Sequence, residues 1–190
     1  MSEQEIVLIR QAKEGDRTAF EEMVRRTSRL VFARLYLETG DGHRTEDLVQ
    51  ETYMLAFRSI RKLADPGGFR SWLLTIAQNV LIDAARRRAL LARIAAVRAN
   101  TPLTSLPDSS LSPEEMAERE ESRQRVLSVL RSLPEEQRLP LTLRYIVGAD
   151  YDTITTQLGL SNGALRGLLH RGLKQLRERL PADLAPGVMG

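Results

Sequence analysis

The sequence predicts an all-α protein of two small helical domains joined by a flexible linker. Three observations predict it. Apolar residues recur at helical spacing through both halves, and nothing alternates with period two for long enough to make a strand. Pro102, Pro107 and Pro113 gather between the halves among Thr, Ser and Asp, where no apolar period is sustained. The charge changes sign there as well. Residues 1–100 carry 17 Lys and Arg against 13 Asp and Glu, residues 101–122 carry 1 against 6, and residues 123–190 carry 10 against 6. Two basic blocks flanking an acidic segment fit a nucleic-acid binder.

The elements follow in order. Helices are predicted at 6–14 and 19–37, the second with Phe20, Met23, Val24, Leu30, Val31 and Leu35 in period, and Gly15-Asp16 breaks them. Gly40-Asp41-Gly42 makes a turn, Thr45 caps a helix over 46–63, and Asp65-Pro66-Gly67-Gly68 ends it. A long helix over 69–97 completes a first domain of residues 1–98. Residues 99–114 form the linker. Its end, Ser112-Pro113-Glu114-Glu115, has an N-cap, a first-turn proline and acids suited to a helix start. Helices near 115–133, 135–147, 151–158 and 162–180 build a second domain of residues 115–180. Residues 181–190 are read as a frayed tail.

Bulk properties exclude several classes. The 190-residue chain is 42% hydrophobic, and no apolar run approaches the roughly 18 residues of a spanning helix. The acidic start, Met1-Ser2-Glu3-Gln4-Glu5, lacks the pattern of a secretory signal. Cysteine is absent, which removes disulfides, thiolate chemistry and cysteine-ligated zinc. A cytoplasmic protein without membrane insertion is expected. The two histidines, His43 and His170, fall in a turn and on the last helix, a poor metal or acid–base set. No Gly-x-x-x-x-Gly-Lys phosphate loop is present. The sequence therefore argues against an enzyme, with no catalytic residue, metal or cofactor expected.

The strongest motif is local. Asp150 can cap helix 151–158, Gly159 supplies a left-handed residue, and Ser161 caps the next helix. Short helix, glycine turn and longer capped helix make a helix-turn-helix, whose second helix enters the major groove. On it Leu165, Leu169, Leu173, Leu176 and Leu180 share one face, while Arg166, His170, Lys174 and Arg177 share another. The cationic face suits phosphates and base edges. A plain amphipathic helix with a solvated face is the competing reading.

In the first domain, Asn79, Asp83, Arg86 and Arg87 form a polar stripe opposite Leu73, Ile76, Ala77, Val80 and Ala84. Arginines neutralise phosphates and Asn can read a base edge. Phe69 and Trp72, beside Arg70, can hold unstacked bases or simply fill the core; the residues leave both open. Asp47, Gln50, Glu51 and Met54 make a partly acidic face on helix 46–63, better suited to a protein than to DNA, or else merely solvated.

Together these segments resemble a known family. Asp47-Leu48-Val49-Gln50-Glu51-Thr52-Tyr53, Phe69-Arg70-Ser71-Trp72-Leu73, Ile76-Ala77-Gln78-Asn79, and Asp83 with Arg86-Arg87-Arg88 look like region 2 of small bacterial sigma factors. Leu133-Pro134-Glu135-Glu136-Gln137-Arg138, Leu143-Arg144-Tyr145 and Leu169-His170-Arg171 resemble region 4. The match is to the extracytoplasmic-function (group IV) sigma factors and covers most of residues 6–180. It implies a sigma region 2 bundle in the first domain and a sigma region 4 helix-turn-helix in the second. The partners implied are core RNA polymerase (β′ clamp and β subunits), promoter DNA and an anti-sigma factor.

The resemblance also implies roles by residue. Asp47, Gln50, Glu51 and Met54 would dock on the clamp coiled coil of the polymerase. Leu63, Gly67, Gly68, Phe69, Trp72, Asn79, Asp83, Arg86 and Arg87 would meet the −10 promoter element, the loop over 63–69 capturing a flipped base. Ser161, Asn162, Gly163, Arg166, His170, Arg171 and Lys174 would meet the −35 element. The chain departs from the family at Ala164, Gly167 and Leu168, where hydroxyls and a cation are usual, so fewer phosphate contacts are expected there. A DNA-binding regulator that works without polymerase is the second reading. It leaves Asp47, Gln50 and Glu51 without a role, and pull-down with core enzyme separates the two.

Overall fold

The computed structural model describes residues 3–98 and 113–180, with side chains for 3–94 and 117–180. Most of the expected linker and all of the tail lie outside the described residues. Within them there are α-helices, short tight or wide helical turns, and no strand. The helices are α1 (Glu3–Glu14), α2 (Arg17–Thr39), α3 (Gly42–Ser59), α4 (Phe69–Arg98), α5 (Pro113–Ser132), α6 (Glu135–Leu141), α7 (Tyr151–Leu158) and α8 (Asn162–Arg179).

Local chemistry accounts for most boundaries. The Asp16 carboxylate accepts from the backbone N–H groups of Thr18 and Ala19 and so caps α2. Gly40, at φ +64°, takes the left-handed conformation that ends α2, and its N–H donates to Tyr36 O at 2.8 Å. The next cap corrects the sequence reading. Asp41, not Thr45, starts α3 by accepting from Arg44 N–H at 3.1 Å. Thr45 lies a turn inside, fully buried, with its hydroxyl donating to Asp41 O. The predicted 135–147 helix is also interrupted. Pro140 lacks an N–H and its ring opposes the carbonyl one turn back; α6 ends at Leu141 and continues as a wide π turn, Thr142–Ile146.

Two apolar cores result. The first joins Ile9 of α1, Phe20, Met23, Val31 and Leu35 of α2, Leu48, Tyr53 and Ala56 of α3, and Leu73, Ala77 and Val80 of α4. At its centre the Tyr53 and Thr27 hydroxyls lie 2.8 Å apart, and Thr27 donates to Met23 O. Burial there pushes the phenol well above its ordinary range. The second core contains Leu127, Leu130, Leu139, Leu143, Ile154, Leu165, Leu169 and Leu176 from α5–α8, and it also takes Leu30, Ala33 and Leu37 from α2. Helix α2 therefore serves both. Its three outward residues are 0–1% exposed because the C-terminal helices cover them. The two domains are packed together as well as tethered.

Candidate nucleic-acid and polymerase interface

The face assigned to polymerase is presented by the mid-section of α3. Thr45, Leu48, Thr52 and Ala56 point into the first core. That leaves Asp47, Gln50 and Met54 exposed and Glu51 half-buried. Met54 is 55% exposed, with Leu55 and Phe57 also open to solvent. Apolar surface beside carboxylates is the composition of a protein-docking patch. Glu51 is pinned by Arg87 of α4, one of whose nitrogens contacts both carboxylate oxygens.

The stripe on α4 is brought together as read from sequence. Asn79, Asp83, Arg86 and Arg87 are all exposed, and Arg86 reaches Asp83 at 3.3 Å. The loop before α4 is built differently. Leu63 and Phe69 are 5% and 3% exposed, so these two side chains anchor the loop in the core and present nothing to DNA in this arrangement. Lys13 of α1 donates to Leu63 O at 2.6 Å. Trp72 is half-buried with its ring tilted against Phe69, centroids 5.9 Å apart. Core and surface thus share it. At the tip, Gly67 N–H donates to Asp65 Oδ1 at 2.9 Å, and a Cβ on Gly67 would lie 2.8 Å from Asp65 Oδ2. A side chain there would push the Asp65 carboxylate off its bond to Gly67 N–H, and the exposed residues of the loop are Ala64, Asp65 and Gly67.

The helix-turn-helix forms with the predicted caps. Asp150 accepts from Thr153 N–H at 2.7 Å, Gly159 sits at φ +67°, and Ser161 accepts from Ala164 N–H at 3.2 Å. The Thr153 hydrogen bonds hold the Asp150 carboxyl below its ordinary value. Leu165, Leu169 and Leu176 are buried, which turns Asn162, Gly163, Arg166, His170, Arg171 and Lys174 to solvent. Over this face Arg171 lies against Gly167, 3.3 Å from where a Cβ would stand. Lys174 is 4.0 Å from Glu178, too long to hold it from a phosphate.

Two residues that sequence reasoning missed organise the site. Gly172, on the buried side of α8, lets α6 approach so closely that a Cβ would lie 2.6 Å from Leu141 Cδ1. Arg70, next to the loop over 63–69, is committed to partners far along the chain: Glu5 Oε1 at 2.5 Å, Thr156 O, and Gln157 O at 3.0 Å. Glycine inside a helix was the available signal for the first; nothing local signals the second. Among the described residues no His, Asp or Glu cluster could hold a metal, and no helix is long and apolar enough to cross a membrane.

Comparison with known proteins matches both halves of the chain to one family. Residues 23–90 match the family model for Sigma-70 region 2, and residues 123–176 match Sigma-70, region 4. Over 170 residues the chain is 33% identical to the RNA polymerase sigma factor CarQ of Myxococcus xanthus, covering 88% of this chain and 92% of CarQ. It is 34% identical over 169 residues to the ECF RNA polymerase sigma factor SigE of Mycolicibacterium smegmatis, covering 87% of this chain but only 64% of that protein. The ECF RNA polymerase sigma factor SigW of Bacillus subtilis is 27% identical over 176 residues, 90% of this chain and 94% of SigW. Among solved structures, CnrH in complex with the cytosolic domain of CnrY is 27% identical, with a TM-score of 0.49 over 94% of this chain and 98% of that one.

Proposed function

Because this chain belongs to the extracytoplasmic-function sigma factors of bacterial RNA polymerase, we propose that it binds core polymerase and directs it to promoters, and that its exposed faces divide that work. Helix α3 docks on the polymerase clamp through Asp47, Gln50, Glu51 and Met54. Helix α4 and the loop before it engage the −10 element, with Asn79, Asp83, Arg86 and Arg87 outward and the glycine tip offering backbone groups to an unstacked base. Helix α8 reads the −35 duplex with Arg166, His170, Arg171 and Lys174. Leu63 and Phe69 set the loop's shape from beneath.

The observation that carries the reading is on α3 and α4. Neighbouring helices expose an acidic, partly apolar face and an arginine stripe side by side, as a subunit that must hold polymerase and DNA at once requires. The chain supplies binding surfaces and catalyses no step of its own. Its proposed partners are core RNA polymerase, promoter DNA and an anti-sigma protein, the last on family resemblance alone; its proposed location is the cytoplasm. Run-off transcription with core polymerase on a promoter library tests the reading. Specific initiation from a subset of promoters is expected, and no promoter-specific start under any template would overturn it.

A further inference from the structure

The outward face of α8 has a shape that its charges alone do not explain. At about 100° per residue, the line opposite buried Leu165, Leu169 and Leu176 runs through Gly167 and Lys174. Arg166 and His170 lie on one flank of that line, and Ala164, Leu168 and Arg171 on the other. Over the first three turns Arg171 is the one cation on its flank. Its guanidinium does not stay there. Nη1 lies 3.3 Å and Cζ 4.0 Å from where a Cβ on Gly167 would stand. Gly167 is half-buried, and the guanidinium is what covers it. Arg171 thus folds back about one turn toward the start of the helix, from the flank to the midline, over a residue that has no side chain to stop it.

The displacement matters because a recognition helix meets base edges with its N-terminal turns. Four residues at about 1.5 Å each carry the guanidinium about 6 Å toward those turns. The midline also faces the floor of the groove, where the bases show their edges. Guanine alone presents two acceptors side by side there, N7 and O6, and the guanidinium fork matches them with two N–H groups. A fork already lying in place loses less rotamer freedom on binding than one recruited from solvent. The one carboxylate of α8, Glu178, stands 4.0 Å from Lys174. A side chain at 167 would stand in the fork's place.

We propose that Gly167 is a positioning residue: it seats Arg171 on the midline of the recognition helix and so makes the −35 preference of this chain depend on a guanine at one position. The inference rests on the function proposed for α8 and adds what sets its selectivity. The absence of a side chain at 167 is then a condition for reading DNA, at a position where alanine would give the more stable helix.

The test compares the full chain with Gly167→Ala, Gly167→Leu, Arg171→Ala and Arg171→Lys, each bound to core polymerase, on a promoter library randomised at the −35 element. The parent chain should select guanine at one position. Arg171→Ala should lose about 5- to 150-fold of that preference and keep the others. Arg171→Lys, a point charge without a fork, should not restore it. Gly167→Ala obliges the guanidinium to shift by a few tenths of an ångström and should weaken the preference at that same position; Gly167→Leu fills the place and should abolish it. Urea unfolding gives the second readout. Gly167→Ala should raise the midpoint, so that lost reading with gained stability cannot come from a damaged helix. Gly167 variants that keep the parent's guanine preference overturn the proposal. So does an Arg171→Ala loss spread evenly over all sequences, the mark of a phosphate contact. A parent chain with no preference at any −35 position would remove the function proposed for α8, and this inference with it.

Discussion

One guanidinium nitrogen of Arg87 lies 3.0 and 2.9 Å from the two carboxylate oxygens of Glu51, joining α4 to α3 at their exposed faces. Glu51 belongs to the face assigned to polymerase and Arg87 to the face assigned to DNA. Neither can give its full charge to an outside partner without loosening the other. Asp47, one turn away and exposed, has no such entanglement and gives the cleaner test. Asp47→Lys should weaken core binding about tenfold or more, with the helical circular dichroism unchanged. Equal affinity would strip Asp47 of its role.

The Glu51–Arg87 pair itself is worth little. Both side chains are well solvated, and exposed pairs contribute at most about 1 kcal/mol. A double-mutant cycle with Glu51→Ala and Arg87→Ala, read by denaturant unfolding, should give a coupling at or below that value. A coupling several times larger would mean that the pair organises the fold.

Salt dependence separates phosphate contacts from base contacts on α8. Arg166→Ala and Lys174→Ala should each lower the slope of log K against log salt by about one for a −35 duplex. Binding to unrelated duplex should weaken by a similar factor. An unchanged slope for either variant would move that cation off the DNA backbone.

Gly172→Ala tests how α6 meets α8. In an exposed helix the change would gain up to about 1 kcal/mol. Here the new methyl lies 2.6 Å from Leu141 Cδ1, and overpacking of that kind costs about 1–3 kcal/mol. A lower urea midpoint with an unaltered slope is expected. A raised midpoint would show that Leu141 can give way.

Asp150 gives a pH test at the start of the helix-turn-helix. Its folded-state carboxyl is held below the ordinary 3.8 by Thr153. The stability this adds is present above the unfolded value and is lost as pH falls through the folded one. The melting-temperature gap between the parent chain and Asp150→Ala should be full at neutral pH and shrink below about pH 4. A gap independent of pH would mean that the cap works without its charge.

What the sequence made legible was the chemistry that stays local. Asp150, Gly159 and Ser161 act within three or four residues of themselves, and the stripe from Asn79 to Arg87 is set by helical period alone. From the sequence Thr45 reads as the cap and Asp41 only as part of a turn; Asp41 caps α3 because it is the extended residue that follows left-handed Gly40. Period also hid something. Leu30, Ala33 and Leu37 fall on helical spacing just as Phe20, Met23 and Val31 do, so two faces of α2 read as one. Arg70 was legible only as a cation near aromatics, because its acceptors lie 86 and 87 residues away.

The two-faced α2 bears on attempts to build hybrids. A C-terminal half taken from another sigma factor would bring its own promoter preference, but not the complement to Leu30, Ala33 and Leu37. Such a chimaera would carry an uncovered greasy strip, even with every DNA contact correct. The two halves are matched to each other along that strip of α2, whatever else each of them binds.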